Sequence, residues 1–132
     1  MRWIYWLMGV VMITLMGGVV FAASPLDGTE WSIKMTTPSV EDQIRFEERK
    51  FISPLFEAKG FSNSYYTLTE KEGRPLVWET MQTSENQGTL SWRGDVDADN
   101  TMRGVVSWVK PDGKVVNRTF AGHKVTNSGP NP

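Results

Sequence analysis

The sequence predicts an all-β domain, an eight-stranded antiparallel up-and-down barrel, on three observations. Downstream of Pro25 the apolar residues mostly alternate with polar ones. Turn-forming residues interrupt them every eight to twelve positions. No stretch past the N-terminal segment has the period and length of a helix.

The chain opens with Arg2 ahead of an apolar run from Trp3 to Ala23, closing on Val20-Phe21-Ala22 with small residues three and one positions before a cut after Ala22. That order is the pattern of a secretory signal. The alternative is an uncleaved anchor spanning residues 3–23, since about 20 apolar residues can cross a bilayer. Residues 1–22 are therefore read as a signal peptide, residues 23–123 as the barrel domain and residues 124–132 as a disordered, Pro-rich tail. Taking 22 from 132 residues leaves 110, the size of one domain. Taking Arg2 from the 14 basic residues leaves 13 against 15 acidic ones, a formal charge of −2. That balance gives no sign of nucleic-acid binding, which usually needs a basic stripe. The chain has no cysteine, so it offers neither disulfides nor a lipid-modified cysteine anchor. The expected location is the bacterial periplasm or exterior, with a membrane as partner only if the N-terminal segment stays attached.

Eight strand segments follow: Thr29–Thr36, Asp42–Glu47, Lys50–Phe56, Ser62–Glu70, Pro75–Thr83, Thr89–Val96, Thr101–Lys110 and Lys114–Ala121. The breaks between them are short, so consecutive strands should pair as hairpins. Pro54 resists, because a proline inside a strand marks an edge or a bend. The sixth and seventh strands are the most legible. Leu90, Trp92, Gly94 and Val96 share one face, and Met102, Gly104, Val106 and Trp108 share the matching face, with polar residues opposite. Glycines within an apolar face leave room for a bulky neighbour or mark a bend. A meander with inward glycines and aromatics favours a closed barrel, which also removes exposed edges.

The polar motifs offer little chemistry. Asp95, Asp97 and Asp99 alternate as a calcium loop begins, but the sixth and twelfth positions hold Asn100 and Val106 in place of glycine and glutamate. The stretch reads as a turn. His123, the one histidine, follows the last predicted strand and lacks the companions that a metal site or catalytic triad needs. Glu41-Asp42 and Glu47-Glu48 read as solvated acids at turns. No catalytic residue, metal site or cofactor is expected, and the protein is read as non-enzymatic.

The aromatic residues carry the strongest signal: Trp31, Trp78, Trp92 and Trp108 with two tyrosines and five phenylalanines beyond residue 22. Large rings of this number can fill a narrow barrel or line a pocket. Gly28-Thr29-Glu30-Trp31 resembles the G-x-W signature that opens the lipocalin barrel, with one extra residue. Val115–Phe120 is similar to the last lipocalin strand, whose arginine packs across that tryptophan. The likeness implies a lipocalin-like fold over residues 23–121, with Trp31 and Arg118 stacked at the closed base. It also implies a small apolar ligand inside, and alternation turns Trp78, Leu90, Trp92, Met102, Gly104 and Trp108 towards it. The alternative is a structural or protein-interaction module whose barrel is solid.

Overall fold

The computed structural model describes residues 24–126 apart from 71 and 74. The signal segment, with its alternative as an anchor, and the tail beyond Thr126 lie outside the described residues.

The described chain forms nine short strands and one helical turn: β1 (Thr29–Met35), β2 (Val40–Glu47), β3 (Lys50–Ile52), α1 (Pro54–Glu57), β4 (Ser64–Tyr65), β5 (Thr67–Thr69), β6 (Leu76–Ser84), β7 (Gly88–Val96), β8 (Thr101–Val109) and β9 (Val115–Lys124). All pairings are antiparallel, in the order β4-β3-β2-β1-β9-β8-β7-β6-β5. The first and last strands are neighbours, with Trp31 opposite Lys124 and Met35 opposite Phe120. The two outermost strands of that order, β4 and β5, are halves of one strand bent at Tyr66. The first half pairs with β3 and the second with β6. The sheet therefore curls into a nearly closed barrel in which eight strands, counted as the sequence predicts them, run up and down.

The differences from the sequence reading have local causes. Ser53 ends the third strand and caps α1, its hydroxyl accepting from Phe56 N at 3.2 Å, while Pro54 takes the first helical turn, where a missing N–H is harmless. The proline thus marks a helix start and not an edge. The last strand runs on to Lys124, so His123 lies within it, exposed and opposite both Ser32 and Thr101. The Asp97–Asn100 stretch is the expected turn. Asn100 has φ +67°, and Thr101 donates from its backbone and its hydroxyl to Asp99, which holds that carboxyl below its ordinary value.

Alternation puts the apolar faces inside. Trp31, Ile33 and Met35 of β1, Ile44 and Phe46 of β2, Leu90 and Trp92 of β7, Met102 and Val106 of β8 and Phe120 of β9 are buried in one cluster. Two ends close it differently. At one end lie α1 and the hairpin turns β6–β7 and β8–β9, with Phe56, Phe61 and Trp108. At the other, the segment Ser24–Gly28 crosses over and places Leu26 in the core. Both described termini leave from that second end.

The β2–β3 turn is strained. Glu48 and Arg49 both have positive φ, +52° and +68°, a conformation that favours Asn-Gly. The Asp27 carboxylate offsets part of the strain by accepting from Arg49 N at 3.0 Å through both oxygens. Replacing Glu48-Arg49 by Asn-Gly keeps that backbone donor and should raise stability by about 1–2 kcal/mol in urea unfolding. An unchanged or lower midpoint would contradict the strain.

Candidate functional site

The ligand-facing residues expected from the sequence do converge, but against each other. Trp78 stacks on Phe51 with centroids 5.0 Å apart and lies 6.2 Å from Trp92, which in turn contacts Phe120 at 5.6 Å. Phe46 meets Trp78 edge-on at 5.0 Å and Tyr66 at 4.9 Å. Each such pair adds about 0.5–1.5 kcal/mol beyond the area it buries. Trp78, Leu90, Trp92 and Met102 are all buried. Trp108 is half-buried at the α1 end, where it packs on Phe56 and Phe61, donates from Nε1 to Gln87 O at 2.7 Å and lies under the Lys110 ammonium. The space bounded by Phe56, Leu90, Val106, Trp108, Val116 and Arg118 is about 10 Å³. That is room for one water, against the roughly 150 Å³ that admits benzene.

Glycines make this density attainable. A Cβ on Gly94 would run into the Trp78 indole, so the ring lies on the bare backbone of β7. Gly104 corrects the sequence reading, since it leaves no space. A Cβ there would collide with Arg93 O and come within 2.7 Å of the Phe120 ring. The glycine lets β7 and β8 approach and the sheet bend.

Trp31 and Arg118 do not meet, which corrects the contact implied by the lipocalin likeness. Trp31 pairs with Lys124, whereas Arg118 stands six residues back along β9 opposite Val106, about 20 Å from that position along the strand. Trp31 Nε1 donates instead to Thr29 Oγ1 at 2.9 Å. Arg118 belongs to the α1 end, its Nε buried with no partner among the described residues.

Several polar groups inside the barrel were missed by the sequence reading. Gln82 is fully buried. Its Nε2 donates to Ser62 O at 3.0 Å, and its Oε1 accepts from Trp92 Nε1 at 2.8 Å. Thr80 donates to Tyr65 O at 2.7 Å and its hydroxyl also meets that of Ser64 at 2.6 Å. Together with Ser62 N donating to Thr83 O, these bonds join β6 to the chain at residues 62–65, where no continuous ladder runs. The shared parity of Trp78, Thr80 and Gln82 is the signal that could have found them.

Asp42 is the second correction among the polar residues, since it is buried and not solvated. It accepts from Ser53 Oγ at 2.5 Å, Gln43 N at 2.9 Å and Leu55 N at 3.1 Å, tying β2 to the start of α1. Burial raises its carboxyl above the ordinary value, against the pull of the three donors. At the opposite end the Tyr66 hydroxyl donates to Asp27 at 2.6 Å and contacts Ser24 Oγ at 2.7 Å. Desolvation, and then the bond to Asp27, push the phenol up to about 12. Both carboxylates act as internal fasteners. Among the described residues no group of three His, Cys, Asp or Glu side chains could hold a metal.

Outside, the sheet presents Met81 on β6, Val105 and Val109 on β8 and Val115 on β9, at 58, 46, 42 and 54 % exposure. A groove also crosses the outer face of β7, β8, β9 and β1, lined by Arg93, Arg103, Val105, Ala121 and Lys34.

Two outcomes follow from the polar groups. Gln82→Met keeps the side-chain length but strands Trp92 Nε1 and Ser62 O, so it should cost about 2–5 kcal/mol in urea unfolding. Adding Trp92→Phe, which removes one of the stranded groups, should cost less than the two single changes together. For Tyr66, the unfolded chain loses the phenolic proton near the ordinary 10.0 while the folded chain holds it to about 12. The stability this contributes is complete below pH 10 and is lost as pH rises towards 12. Tyr66→Phe should remove that alkaline loss and take one late-ionising tyrosine out of the absorbance titration.

Protein-family models, curated proteins and solved structures contain no match to this chain, so what places it is its architecture, an all-β antiparallel barrel.

Proposed function

We propose that the chain is an exported, non-enzymatic interaction module, a solid barrel that meets its partner on the outside. The observation that carries this reading is the packing of the inward aromatic rings against one another. Trp78, Trp92, Phe46, Phe51 and Phe120 occupy the volume where a lipocalin would hold its ligand, and the space beside Leu90 is about 10 Å³.

The outer surface supports the same reading. Between Met81 on β6 and Val115 on β9 the outward positions Thr83, Ser91, Ser107 and Asn117 carry no charge. Depletion of charge with exposed aliphatic side chains is what the centre of a protein interface has and ordinary surface lacks. Export by residues 1–22 would set the module in the periplasm or outside the cell.

The test is a titration of tryptophan emission with fatty acids of six to sixteen carbons and with an apolar dye. The proposal predicts no saturable change in the emission of Trp78 and Trp92. Saturable one-to-one binding at micromolar concentration, with a shift in that emission, would overturn it in favour of a ligand carrier.

A further inference from the structure

The outer groove has a volume of about 670 Å³, and strand register sets its shape. One cross-strand row reads Asp95, Arg103, Ala121, Lys34, and the next reads Arg93, Val105, Thr119. The Thr36 hydroxyl extends the second row, 3.0 Å from that of Thr119. All these positions point outward by alternation. Ala121 is a low point between two long cationic side chains, and Val105 continues an apolar floor beside it.

Cations and carboxylates alternate around this floor, with Lys34, Arg93 and Arg103 standing beside Glu41, Glu79 and Asp95 in register. Arg93 is held by Glu79 at 2.8 Å. Lys34 and Arg103 stand opposite Glu41 and Asp95 in register, yet the ion pairs among the described residues are those of Arg45 with Glu47 and of Arg93 with Glu79. Lys34 and Arg103 thus line the groove with no ion pair of their own. Their backbones are two strand spacings apart, about 10 Å, so both side chains can reach over Ala121. The walls are strands of one sheet, so little ordering is needed before a ligand binds.

We propose that this groove binds a small organic anion. A carboxylate or phosphate monoester would sit over Ala121 between the Lys34 ammonium and the Arg103 guanidinium, with a short apolar arm along Val105 and the Thr119 methyl. The guanidinium can grip either head group through two parallel hydrogen bonds, and Lys34 adds a point charge. The volume falls within the range of small-molecule sites. The proposal rests on the solid-barrel reading to the extent that the ligand is held outside.

The experiment is an amide chemical-shift titration of the full chain with hexanoate, hexyl phosphate, hexanol and inorganic phosphate. Saturable shifts are expected at Lys34, Arg103, Gly104 and Ala121 with hexanoate or hexyl phosphate. Affinity should be at least about tenfold weaker for hexanol, which lacks the charge, and for inorganic phosphate, which lacks the arm. Saturation by one of the two amphiphiles alone identifies the head group. Lys34→Gln with Arg103→Gln, two exposed changes that leave the fold intact, should abolish the shifts, and added salt should weaken them. The proposal falls if no probe saturates, if inorganic phosphate binds as well as hexyl phosphate, or if the double variant binds like the parent. Shifts at Leu90, Trp92 and Met102 that survive the double variant would overturn both this site and the solid barrel. Silence at groove and interior alike would remove the groove alone.

Discussion

The hydrogen bonds from Thr80 and Gln82 to the chain at residues 62–65 hold this barrel shut. Everywhere else neighbouring strands share a regular ladder, but the bent strand β4–β5 pairs with β3 over its first half and with β6 over its second. The gap at the bend is closed by side chains of β6, which reach the backbone that the ladder does not. The same Gln82 also fixes the Trp92 indole. One buried amide thus links closure of the sheet to orientation of the aromatic core. A buried polar group is a liability when half-satisfied, and here both ends of the amide are used.

Closure alone would not give a solid interior. A barrel this small accommodates four tryptophans and five phenylalanines because glycine opens the wall where a ring needs space, as Gly94 does beneath Trp78. Gly104, where a Cβ would meet the β7 backbone and the Phe120 ring, also lies in the lining of the outer groove.

The strands were legible in the sequence because their signal is local. Period-two alternation puts Leu90 and Trp92 of β7 and Val106 and Trp108 of β8 on apolar faces, and in the barrel these residues pair across the two strands. What escaped was set by contacts between distant segments. Asp42 looks like a solvated acid until Ser53 and Leu55, more than ten residues later, arrive to donate to it. Ser53-Pro54 reads as a strand defect, although a serine ahead of a proline is also a helix start. Trp31 and Arg118 each match part of a signature, but residue type does not carry the shear of a barrel, and the register sets them at opposite ends. Whether aromatics line a cavity or fill it depends on volumes that no sequence pattern encodes.

The filled interior is the central claim, and xenon tests it most directly because it enters apolar cavities too small for a fatty acid. Methyl chemical shifts of Leu90, Met102 and Val106 should show no saturable response to xenon pressure, while Leu90→Ala, which opens a void beside the same residues, should show one. A saturable response in the parent chain would mean that the aromatic rings leave a cavity, and the barrel would be a carrier after all.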